Sequence, residues 1–191
     1  GLFLRTGKKS EDTRVLFSEI DLGGEMPDKS SDMRFRQFIR QHGEEEFTLL
    51  GEASALAVVT KFEQDGILDW SPEEPNLYKA VTTVTAGDSK DEYVTVFGLR
   101  DLEYKEDGLY INSEKTFLKG VCLHHDAGAL GAAWNTTAWT RRLLMLKEMG
   151  CNAIRTSHNP PAPELLELCD RMGFVVLDEF SDTWSIPKRK N

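Results

Sequence analysis

Long apolar runs are absent from this chain. No stretch of about eighteen consecutive hydrophobic residues occurs, so no membrane span is expected, and the start shows no charged-then-apolar signal. The first residue is Gly1, not Met, which fits an N-terminus already processed or cut and leaves the compartment open. A soluble protein is expected, with cytoplasmic, periplasmic and secreted locations not separated. Cysteine is scarce. Cys122, Cys151 and Cys169 are odd in number and far apart, which argues for buried free thiols over a disulfide framework. Positive charge is short as well. Lys and Arg number 23 against 32 Asp and Glu, a formal net charge of -9, and no basic run appears before Lys188-Arg189-Lys190. No nucleic-acid or membrane partner is therefore expected, and neutral or cationic partners fit better. There is no HxH or HExxH metal motif, no internal repeat and no low-complexity segment.

What is present is 191 residues, 40% of them hydrophobic, enough for one or two domains with a sizeable core. Residues 1–53 carry few signals beyond polar and glycine-rich turns. A helix is expected over residues 31–42, with Ser31 as its cap, Phe35, Phe38 and Ile39 on one face, and Gly43 as its stop. His42 beside it reads as a surface residue. From Glu44 the texture is β. Short apolar runs at 47–50 and 55–62 flank Gly51-Glu52, and strands are expected over 78–85 and 93–104 with a turn at Gly87-Asp88-Ser89. Asn112-Ser113 predicts a hairpin turn between 109–111 and 116–118. Strands this short and regular predict an antiparallel sandwich.

Near Phe117 the pattern changes. An apolar strand over 117–123 ends in His124-His125-Asp126. A Gly/Ala loop follows, then a helix capped by Thr136 or Thr137 and closed by Gly150. A second strand begins at Ala153-Ile154 and ends in Arg155-Thr156-Ser157-His158-Asn159. Pro160, Pro161 and Pro163 lead into a helix that Gly173 stops, and Phe174-Val175-Val176-Leu177 runs to Asp178-Glu179. Alternation of strand and helix predicts a parallel α/β sheet or barrel.

Three successive strand ends therefore carry ionisable groups, and in a barrel such ends open on one face. His and Arg donate and carboxylates accept hydrogen bonds, which suits the vicinal hydroxyls of a sugar or polyol. Trp184 suits stacking on a sugar face, and equally a plug in the core. A metal is the other chemistry these side chains serve, but His124 and His125 are adjacent and point to opposite faces of a strand, so they do not chelate one ion together.

Residues 152–177 resemble the signature of glycoside hydrolase family 2, the β-galactosidases, β-glucuronidases and β-mannosidases. Asn152, Ile154, Arg155, Thr156, Ser157, His158, Pro160, Leu165, Leu166, Asp170, Gly173 and the run 174–177 match, while Asn159 stands where the signature has Tyr. Residues 118–126 resemble the family's first barrel strand, with Cys122 in place of the usual Asn. Residues 70–78 and 97–100 resemble the end of the preceding immunoglobulin-like sandwich. The likeness covers roughly residues 68–187.

The resemblance implies an immunoglobulin-like β-sandwich over 1–116, then the first βα units of a (β/α)8 TIM barrel over 117–191. It implies a retaining glycosidase, which uses two carboxyl groups about 5–5.5 Å apart. In the family both are glutamates on later barrel strands, one within an Asn-Glu pair. No Asn-Glu pair occurs here, so no catalytic glutamate is expected in this chain and the chain alone is expected to be inactive. By the resemblance, His124 and His158 contact the sugar or stabilise the transition state, and Arg155, Asn159, Asp178 and Glu179 shape and orient the site. The expected function is a segment of a retaining β-glycosidase, of β-galactosidase type first. The alternatives are a non-catalytic carbohydrate-binding or interaction module and a metal-dependent barrel hydrolase. The expected partner is a β-glycoside, with the rest of the barrel or a second copy completing the fold. No cofactor is required within the chain, with room left for a divalent cation in the full enzyme.

Overall fold

A computed structural model describes the backbone of residues 2–10, 13–20, 33–41, 48–53, 57–63 and 67–181, and the side chains of 34–41, 49 and 67–181. It divides into two compact units, Gly1–Ser71 with Asn76–Lys115 and Pro72–Pro75 with Thr116–Asn191.

The first unit is antiparallel. Strands β1 (Leu2–Ser10), β2 (Thr13–Ile20) and β5 (Ala57–Glu63) form one sheet in the order β1-β2-β5. Strands β3 (Met33–Gln41), β4 (Thr48–Ala53), β6 (Tyr78–Ala86) and β7 (Ser89–Phe97) form another, ordered β4-β3-β6-β7. The helix expected over 31–42 is instead β3. Phe35, Gln37 and Ile39 are buried, at 2%, 3% and 1% exposure, and Arg34, Arg36, Phe38 and Arg40 take the alternate positions, which is a period of two. Phe38 lies half-buried on the other face. Gln37 is tolerated inside because its Nε2 donates to Thr82 Oγ1 at 3.2 Å, its register partner on β6. Likewise β1 and β2 occupy a region whose turn residues had masked its strands, and Gly51-Glu52 continue β4 instead of interrupting the chain.

The strand expected over 93–104 is broken after Phe97. A side chain at Gly98 would place its Cβ 2.7 Å from that of Trp70, whose backbone N–H donates to Leu99 O at 2.6 Å. Beyond it, β8 (Leu102–Lys105), β9 (Gly108–Ile111) and β10 (Glu114–Lys115) make a small sheet. The hairpin turn at Asn112-Ser113 is present, with φ of 52° and 70°. Its second strand is Glu114–Lys115, not 116–118.

The second unit alternates. β11 (Gly120–His124), α1 (Thr136–Glu148), β12 (Ala153–Ser157), α2 (Pro163–Met172) and β13 (Val175–Asp178) follow in turn, and the strands pair in parallel as β11-β12-β13. The first strand starts three residues later than expected. Asn135, not a threonine, caps α1, its side chain accepting from the Ala138 N–H at 2.9 Å. Pro163 opens α2 and Gly173, at φ 70°, closes it. Trp139, Leu143 and Leu146 of α1 meet Leu165, Leu168 and Cys169 of α2, with Ile154 and Phe174 beneath.

Two side chains fix the unit at the end away from the strand tips. Asn152 accepts from the Lys119 N–H at 2.8 Å and donates to Phe117 O at 3.1 Å, while its own carbonyl accepts from Val175 at 2.9 Å. It thus ties the starts of all three strands. The Lys147 ammonium donates to Gly173 O at 2.8 Å and to Pro72 O at 3.0 Å, over the Phe174 ring. Burial lowers its pKa. No described helix is long and apolar enough to cross a membrane.

Candidate functional site

Parallel pairing puts the C-terminal ends of β11, β12 and β13 along one edge. The register sets Cys122 beside Arg155, His124 beside Ser157 and Arg155 beside Leu177, so these side chains share one face of the sheet. The opposite face carries Leu123, Ile154 and Val176 against the helices.

At that edge Arg155 Nη2 donates to Glu179 Oε2 at 2.6 Å. His158 Nδ1 stands 3.7 Å from the same oxygen, and the His158 ring lies 5.3 Å from that of His124, tilted by 59°. Glu179 is the most enclosed of the charged pair, its side chain 18% exposed against 39% for Arg155. This carboxylate holds the guanidinium and lies close to the imidazole, and both histidines are exposed at the edge. Arg155 Nη1 also reaches Cys122 Sγ at 3.6 Å, and chiefly this contact holds the Cys122 thiol below its ordinary value of 9.0.

The structure thus brings together His124, Arg155, His158 and Glu179. It does not bring in Asp178, whose Oδ1 accepts from Thr156 Oγ1 at 3.0 Å. Asn159 turns its amide to Pro160 O at 3.0 Å, although it also lines a depression shared with His124, His125, Trp134 and Trp139. Trp184 lies outside the described residues. Cys122, expected as a buried thiol, is exposed because it sits on the open face of β11; Cys169 is buried, and all three cysteines are free. Three residues carry more of this edge than the sequence suggested. Cys122 is one, Thr156 another. The third is Trp134, whose ring stacks on Trp139 at 6.0 Å and 10°. Spacing alone gave no signal for any of them. Among the described residues no three His, Cys, Asp or Glu side chains gather as a metal ion would require.

Two sequence models of one family match this chain. "Glycosyl hydrolases family 2" matches residues 8–100, and "Glycosyl hydrolases family 2, TIM barrel domain" matches residues 102–187. The chain belongs to glycosyl hydrolase family 2. Its antiparallel unit fits the family's sandwich, and its parallel strands fit part of the family's barrel. It is 53% identical over 117 residues to the β-galactosidase BoGH2A of Bacteroides ovatus, across 60% of this chain and 14% of that protein. It is 46% identical over 117 residues to a putative β-glucuronidase of Formosa agariphila, across 60% of this chain and 11% of that one. The crystal structure of a β-glycosidase from Bacteroides vulgatus superimposes with a TM-score of 0.86 at 31% identity, covering 98% of this chain and 24% of that one. This family 2 chain therefore spans about a seventh of the Bacteroides ovatus relative and about a quarter of the solved structure.

Proposed function

We propose that this chain forms the sugar-holding edge of a retaining β-glycosidase, with an immunoglobulin-like sandwich over 1–116 and an incomplete barrel over 117–191 that further chain or a partner completes. The gathering of His124, Arg155, His158 and Glu179 at three parallel strand ends, in a family 2 chain, carries this reading. His124 and His158 hydrogen-bond the sugar hydroxyls. Glu179 fixes Arg155 and His158, and Asn159 extends the site. Retaining hydrolysis needs one carboxyl group free to attack and one free to transfer a proton. Glu179 is committed to Arg155 and Asp178 to Thr156, so both suit support and neither suits attack. The attacking and proton-transferring glutamates lie on other strands of the full enzyme.

The sugar is a neutral β-galactoside. Glu179 offsets the Arg155 charge at 2.6 Å, which weakens the pull of this edge on a sugar-borne carboxylate. The likeness to a β-galactosidase agrees.

The full-length gene product is expected to hydrolyse p-nitrophenyl β-galactoside at least about tenfold faster, in kcat/KM, than the β-glucuronide, roughly the net worth of one hydrogen bond. His158→Ala is expected to lower kcat/KM by about a hundredfold, with melting temperature little changed. The 191-residue chain alone is expected to turn over neither. Sugar binding by a full-length protein without turnover of any aryl β-glycoside would establish a binding module instead.

A further inference from the structure

Thr156 follows Arg155 in β12, so its side chain leaves the opposite face of the sheet. It is buried, at 4% exposure. Its Oγ1 donates to Asp178 Oδ1 at 3.0 Å and accepts the backbone N–H of Glu179 at 3.0 Å. Because the carboxylate takes the hydroxyl proton, a lone pair is turned toward that N–H. The β12–β13 ladder ends at the pair Thr156↔Asp178. The Glu179 N–H therefore lies one residue beyond the last backbone pair, and the hydroxyl extends the ladder by one step where the chain leaves the sheet. Glu179 is the group on which Arg155 and His158 converge.

We propose that Thr156 is a positioning residue for the glycosidase site, acting from behind the sheet. Held by Asp178, its hydroxyl fixes the Glu179 backbone, and through it the carboxylate that orients Arg155 and His158. The inference rests on the sugar-holding role given to that cluster above. It assigns Asp178 a part as well: the carboxylate that does not reach the site sets the direction of the hydroxyl that anchors it.

The test uses the full-length gene product, steady-state kinetics on p-nitrophenyl β-galactoside, and the dissociation constant of a galactose-configured iminosugar. Thr156→Val keeps the shape and removes the hydroxyl, leaving the Glu179 N–H without its partner. It is expected to lower kcat/KM by about tenfold or more and to weaken the iminosugar by a similar factor. Thr156→Ser, which keeps the hydroxyl, is expected within about threefold of the wild type. The decisive comparison is with Glu179→Gln. If Thr156 acts through Glu179, T156V/E179Q is about as impaired as E179Q alone, whereas independent losses multiply. Should T156V not fold, D178N carries the same comparison, with an expected loss of about threefold that disappears in the E179Q background. T156V or D178N indistinguishable from the wild type, or losses that multiply with E179Q, would overturn the positioning role while leaving the glycosidase reading intact. A wild-type protein that neither hydrolyses β-glycosides nor binds the iminosugar would remove that reading, and this inference with it.

Discussion

A thiol within reach of a guanidinium is a sensitive reporter of where that guanidinium sits. Arg155 lies beside Cys122 and lowers its pKa, while burial pushes the Cys169 thiol up to about 12. The thiolate is the form that alkylates, so a lowered pKa raises the reactive fraction at any pH below the ordinary thiol value. Iodoacetamide is expected to label Cys122 at least about tenfold faster than Cys169 near neutral pH, as read by timed mass spectrometry. In Arg155→Met the half-maximal labelling of Cys122 should move to higher pH. A profile unmoved by that substitution would mean that Arg155 does not set the thiol's charge. The residue type had suggested an inert, buried cysteine. Its position on the open face follows from the parallel register with Arg155, which no single strand reveals.

At the scale of elements, Asn152 is the residue on which the starts of β11, β12 and β13 depend. Asn152→Ala leaves the Lys119 N–H and the Phe117 carbonyl without partners, and is expected to lower unfolding free energy by about 2 kcal/mol in urea. Lys147→Met removes the donor from the Gly173 carbonyl at the end of α2 and from the Pro72 carbonyl, with an expected loss of about 1 kcal/mol in the same measurement. These two βα units were largely legible beforehand. Leucines at helical spacing, a proline at the start of α2 and a glycine after it each point to one local structure, and the polar strand ends follow. Elsewhere the local signals were degenerate. Phe35, Phe38 and Ile39 satisfy a helical stripe, yet burial follows the alternation with arginine that makes β3. Asn135, Thr136 and Thr137 are all competent caps, and the backbone decides among them: Asn135 is the extended one, at φ -144°. Thr156 was visible only as a signature residue. Its part emerges once Asp178 is found opposite it.

For the whole molecule, family membership is carried by both units, and the chain passes between them more than once. It enters the barrel unit at Pro72–Pro75, returns to the antiparallel unit, and leaves it again after Lys115. The first visit is held closely. The Pro72 carbonyl accepts from Lys147 and lies where a side chain at Gly173 would have to sit. A short Gly-Ser insertion between Lys115 and Thr116 is therefore expected to shift the melting temperature by no more than about 2 °C, since lengthening a connection adds little closure entropy. The same insertion between Glu73 and Glu74 is expected to lower it further, as differential scanning calorimetry would record. The barrel unit is consequently not a contiguous cassette. A chimera that grafts a foreign sandwich onto this barrel at residue 116 would discard part of the recipient with the donor's sequence. To recombine cleanly, residues 72–75 must travel with the barrel, and the gene must be spliced at three junctions instead of one.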